Sequence, residues 1–170
     1  MKTVILVLCA GILLAGCGGG PAGFSVKLKG ADLPFEKKTM VAVMRPDIQE
    51  TSFIVANYDV TLKDNSIRGV ENPKTPGQVM VSFAVKGDGK DFKNPLQVGD
   101  YTDKKIVWCD LRDGDKGGTS TPLSKEDYTF NGKVSITEIT GDTIKGSIDL
   151  TKDNTSVKGS FEARIASKHL

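Results

Sequence analysis

Apolar and polar residues alternate through most of this chain, and the alternation breaks at clusters of Gly, Pro, Asp and Asn. Phe24, Val26 and Leu28 alternate with Ser25, Lys27 and Lys29; Val79, Val81, Phe83 and Val85 alternate with Met80, Ser82 and Ala84. A period of two sends successive side chains to opposite faces of a strand, and no helical period extends beyond about two turns. The pattern predicts strands over 24–28, 39–44, 53–62, 79–85, 96–101, 106–111, 134–139, 144–150 and 157–165. Pro73 and Pro76 make the stretch 65–78 a predicted loop.

Near the C-terminal end, Ile144-Lys145-Gly146-Ser147-Ile148-Asp149-Leu150 is echoed by Val157-Lys158-Gly159-Ser160-Phe161-Glu162-Ala163. In both copies apolar residues and a glycine share one face, while Lys, Ser and an acid share the other. The polar stretch 151–156 and the Gly141-Asp142 turn then bound three consecutive antiparallel strands. Gly146 and Gly159 fall on the inward face, where they are expected to make room for a bulky side chain such as Trp108 from an opposing sheet. So many short strands predict an all-β domain, a two-sheet antiparallel β-sandwich of immunoglobulin-like or jelly-roll type. A small β-barrel of calycin-like type, which would carry a ligand cavity, is the alternative. Pro-bearing breaks and uneven strand spacing favour the sandwich.

Ahead of the strands, Lys2 precedes an uninterrupted apolar run over 4–14, the layout of a secretory signal. As a helix this run reaches about 16 Å, half of a hydrocarbon core about 30 Å thick, so it reads as a removable leader and not as a membrane span. Leu14-Ala15-Gly16-Cys17 then follows, and it resembles the lipobox of bacterial lipoproteins, a likeness confined to residues 1–17. The resemblance implies cleavage before Cys17, a diacylglycerol thioether on its sulfur and often an acyl chain on its new amino group. Two or more chains anchor stably where one alone binds marginally. In the family an aspartate after the cysteine often retains the protein at the inner membrane; Gly18 stands there, which implies the outer membrane where the envelope has two. The expected organisation is a leader over 1–16, a lipidated cysteine and Gly-rich tether over 17–23, and a single β domain over 24–170.

Cysteine usage fits that processing. Of three cysteines, Cys9 leaves with the leader and Cys17 takes lipid, so Cys109 alone remains and no intrachain disulfide forms. Stability must then come from the core. Cys109 sits in a strand-like run with no His or second Cys nearby, and it reads as a buried structural thiol.

Charge excludes some partners. The chain has 23 basic and 21 acidic side chains, interspersed along its length, which leaves no footprint for nucleic acid. Lys37-Lys38 and Lys104-Lys105 read as solvated turn residues.

Candidate chemistry is sparse. His169 is the one histidine and stands next to the last residue, so neither a Ser-His-Asp arrangement nor a His-rich zinc site can be built in the ordinary way. Nucleophile-elbow, phosphate-loop and dinucleotide signatures are absent, and no cofactor is implied. Asp110, Asp113 and Asp115 lie on a Gly-bearing loop and are candidate calcium ligands, although EF-hand spacing is missing and Asp and Gly equally suit a solvated turn. The expected function is that of a lipid-anchored envelope protein whose β domain binds or scaffolds without catalysis. Its expected partners are membrane lipid through Cys17 and an envelope protein or glycan. The alternatives are an envelope hydrolase with two converging carboxylates and a calcium-dependent adhesion or assembly module on the 110–115 loop.

Overall fold

The computed structural model describes residues 23–62, 69–88, 95–127 and 129–168, and within them the regular structure is strands joined by turns and short 3₁₀ segments. In chain order the strands are β1 (Ser25–Leu28), β2 (Ala31–Leu33), β3 (Thr39–Arg45), β4 (Glu50–Ala56), β5 (Val79–Lys86) and β6 (Gly99–Tyr101). They continue with β7 (Ile106–Asp113), β8 (Thr119–Pro122), β9 (Asn131–Thr140), β10 (Thr143–Lys152) and β11 (Thr155–Lys168). The all-β expectation holds. β2 and β8 are additions to the expected strands, because Ala-Asp-Leu and Thr-Ser-Thr-Pro carry no apolar alternation. The expected run 53–62 stops at Ala56. There the Asn57 N–H still donates to the Val79 carbonyl at 3.2 Å, but the side chain takes over the return bond: Oδ1 accepts from the Val79 N–H at 2.8 Å, and Nδ2 donates to the Gly77 carbonyl at 2.8 Å.

All eleven strands belong to one hydrogen-bonded sheet, ordered β6-β9-β10-β11-β3-β4-β5-β7-β8, with β1 attached to β11 and β2 to β1. The β11–β3 ladder is parallel and the others are antiparallel. This order forces the sheet to roll. β6 and β7 are seven strand steps apart along it, about 34 Å if flat at about 4.8 Å per step. Yet Tyr101 is joined to Ile106 by residues 102–105 alone, a link that spans at most about 19 Å. The two ends of the sheet must therefore turn toward each other, and the concave side becomes the interior.

Phenylalanines fill that interior. Phe53 on β4 and Phe83 on β5 are cross-strand partners with stacked rings, centroids 4.8 Å apart, and Phe161 on β11 closes over both at 5.3 and 5.8 Å. Such pairs add about 0.5–1.5 kcal/mol each beyond burial of area. Val81, Leu111, Ile144 and Leu150 surround them with no exposure. Cys109 joins this core as a free thiol, and burial pushes its ionisation up, so it is an inert packing residue.

β9, β10 and β11 form the expected antiparallel meander, with Ile144 opposite Ala163 and Leu150 opposite Val157. The inward glycines make room, but for different aromatics than expected. Gly146 faces Phe161 across the ladder, and a Cβ there would stand 2.8 Å from the Phe161 ring and 2.2 Å from the Ser135 carbonyl oxygen. Gly159, at φ +146°, accommodates Phe24, whose Cα a Cβ would approach to 2.6 Å. Trp108 is elsewhere, on the outer surface. Regular alternation with buried Cys109 and Leu111 puts it there, on the face of Asp110; the bulge at Val107, between the Ala84–Trp108 and Val85–Ile106 pairs, instead returns Ile106 to the core.

Candidate functional site: a cavity on the outer face of the sheet

β4 buries every one of its seven residues, which means that both of its faces are covered. Its outward residues Ile54 and Ala56 pack with Met80 of β5 in a second apolar cluster, flanked by Val41, Tyr58, Val60, Leu62 and Val70. The cover is the stretch after β4 together with the one before β5, fastened by side chains. Thr39 Oγ1 donates to the Tyr58 carbonyl at 2.8 Å and accepts from the Val60 N–H at 3.2 Å. Tyr58 Oη donates to the Glu71 carbonyl at 3.2 Å, and burial pushes this phenol up to about 12.

Beside the described part of this cover lies a cavity of about 290 Å³ lined by Arg45, Ile54, Val70, Met80, Ser82, Trp108, Asp110 and Arg112. The ladder explains why these residues meet. Ile54, Ser82 and Asp110 are successive partners across β4, β5 and β7; Ala56, Met80 and Arg112 make the next row on the same face. Ser52 and Ala84, with Trp108 beside them, make the row on the other side. Small side chains in the middle rows leave a depression, and large ones around them make its walls.

The walls carry charge of both signs. Arg45 forms an ion pair with Glu50, a carboxylate that also accepts from Ser52 Oγ at 3.3 Å and is only 9% exposed. Arg112 donates through Nη1 to the side-chain oxygen of Asn72, a neutral partner. The Nε groups of both arginines are buried and without a hydrogen-bond partner among the described residues. Asp110 and Ser82 likewise make no side-chain hydrogen bond among the described residues.

The three aspartates singled out from the sequence do not converge. Asp110 is on the outer face and lines the cavity. Asp113 is 5% exposed at the end of β7, where its Oδ1 accepts from the Asp115 N–H at 3.0 Å and caps a 3₁₀ turn. Asp115 Oδ1 accepts from the Gly77 N–H at 3.0 Å and ties that turn to the loop before β5. Both acids satisfy backbone donors, and among the described residues no group of three His, Cys, Asp or Glu side chains is placed to hold a metal.

Trp108, Arg45 and Arg112 are site residues that sequence reasoning misses, since nothing in a linear pattern marks outward residues on strands from different parts of the chain as neighbours. Cys17, Cys9 and His169 lie outside the described residues. Among the described residues no helix is long and apolar enough to cross a membrane. No known protein family, curated protein or solved structure matches this chain.

Proposed function

We propose that this chain is a lipid-anchored cell-envelope lipoprotein that acts by binding, with the outer-face cavity as its binding surface. The anchor rests on Leu14-Ala15-Gly16-Cys17 behind its apolar leader, and Cys17 carries the diacylglycerol. The observation that carries the binding role is a cavity whose polar groups, Ser82, Asp110 and the two arginines, are held in place by the sheet and left without full partners. Polar groups in that condition gain most from a ligand that satisfies them. Binding is favoured over hydrolysis because Asp110 is the one carboxylate among the described lining residues, whereas the paired-carboxylate reaction needs two.

The rolled sheet also suits a binder: on its concave side Phe161 closes over Phe53 and Phe83, a packing that supports the sandwich-like reading of the domain. That rigid interior holds the outer rows in fixed register. The Gly-rich stretch 18–23 spans about 20 Å when extended and keeps the domain close to the bilayer. Metabolic labelling with palmitate tests the anchor. Label is expected on the wild-type chain and lost in Cys17→Ser, with the variant released from the membrane fraction; label that persists in Cys17→Ser overturns it.

A further inference from the structure

Resting on the binding role above, we propose that the outer-face cavity takes one ring of a saccharide, stacked on Trp108 with its hydroxyls bridging Asp110 and Arg112. Asp110 and Arg112 are two residues apart on one face of β7, about 7 Å along the strand. The first only accepts hydrogen bonds and the second only donates them. They are not paired with each other, and among the described residues no acid pairs with Arg112. A hydroxyl both donates and accepts, so two neighbouring hydroxyls on a rigid ring satisfy a carboxylate and a guanidinium at once. Ser82, directly across the ladder from Asp110, offers a third polar contact from the floor.

The other ligand classes fit less well. An anion as small as phosphate would meet the Asp110 carboxylate, and like charges face to face are costly. A metal ion would find one carboxylate between two guanidinium groups. An acyl chain would cover Asp110 and Arg112 and leave both charges desolvated without partners. A saccharide ring avoids all three conflicts. Its C–H face lies against the electron-rich face of an indole, the contact that Trp108 supplies. The volume, about 290 Å³, is at the lower end of small-molecule sites, so it holds a single ring of a longer glycan.

Trp108 is the one tryptophan in the chain, so its fluorescence reports on this cavity alone. The experiment uses the full-length acylated protein in a detergent without a sugar headgroup, titrated separately with the N-acetylglucosamine trimer, maltotriose, trigalacturonic acid and inorganic phosphate. A saturable change in Trp108 emission is expected with at least one trisaccharide and not with phosphate. Asp110→Asn and Arg112→Gln should each weaken that binding at least about tenfold, the loss of one charged hydrogen bond, with unfolding midpoints unchanged. Trp108→Ala, read by calorimetry, should abolish it. No change with any trisaccharide at about 10 mM, where a site of Kd about 1 mM is filled, overturns the proposal; so does a response to phosphate as strong as that to the sugars. Silence toward sugars with palmitate still on Cys17 removes the saccharide and leaves the anchored binder standing. A sugar response without label on Cys17 does the reverse.

Discussion

On the inner face of β4 and β5, Phe53, Phe83 and their neighbours pack under Phe161 of β11 on the concave side of the rolled sheet, and the contact is apolar throughout. On the outer face the same two strands are covered by connecting segments, held by side-chain hydrogen bonds of Asn57, Thr39 and Tyr58, and among the described residues a cavity lies over Ser82. The inner burial is made by strand side chains packing on one another, aromatic ring against aromatic ring. The outer burial is made by loops, and its edge is where charged groups stand beside apolar ones. Stability and binding are therefore separable in this fold: one face can be altered with little consequence for the other.

The sharpest break of that comparison is at the inner face. Phe83→Ala should cost about 3–5 kcal/mol, the range for emptying an aromatic site in a packed core, read as the fall in the urea midpoint at unchanged slope. Glu50→Gln comes next. It removes the charge that fixes Arg45 in the cavity wall and should cost about 2 kcal/mol, while weakening any ligand that uses that wall. A variant with wild-type stability would show that the pair contributes nothing to the scaffold.

Tyr58 tests the outer cover through pH. Burial lifts its phenol from the ordinary value of 10.0 to about 12, so the folded state favours the neutral form. The stabilisation is fully present below pH 10, where both states are neutral at this group. It is lost as pH rises from 10 toward 12, because the unfolded chain ionises first. Wild type should thus lose on the order of 1–2 kcal/mol more than Tyr58→Phe across that window, and equal alkaline loss in the two proteins would refute it. Smaller still, Asp113→Ala should cost about 1 kcal/mol through loss of its cap on the turn, and added calcium should shift neither midpoint. Trp108→Phe closes the series at less than about 0.5 kcal/mol, a change visible in ligand binding and hardly in unfolding.

The inner face is legible in the amino-acid sequence and the outer one is not. Alternation at Val79 to Val85 and at Ile144 to Leu150 names the strands and their buried sides without any tertiary knowledge, because a wrong register would expose every apolar residue at once. The repeat of Gly146 and Gly159 tells that bulky side chains press on those positions, although they come from neighbouring strands of the same sheet and not from an opposing one. It cannot say which, since Phe161 and Phe24 are chosen by cross-strand register. Trp108 faces outward because it keeps the parity of Asp110, two residues on, against buried Cys109 and Leu111; the extra residue Val107 shifts only Ile106 back into the core, which hides that parity in the sequence. The cavity depends on four strands, β3, β4, β5 and β7, and a loop aligning their outward residues in rows, and that alignment is a property of the ladder order. Asp110 alone of its lining stands out in the sequence, and for a different chemistry.

The position of β11 has a consequence for how the chain comes to be folded. It lies between β10, β1 and β3, and its parallel ladder joins Val41 to Arg164. During synthesis, therefore, β1 and β3 can pair early with β2 and β4 on one side, but their other side waits for β11 until nearly all the described strands have been made. Phe24, Val26 and Met44 stay uncovered for that time, and long-range pairing of this kind is slow. A growing chain in this condition is a substrate for chaperones until its fourteenth and final β11 residue has emerged.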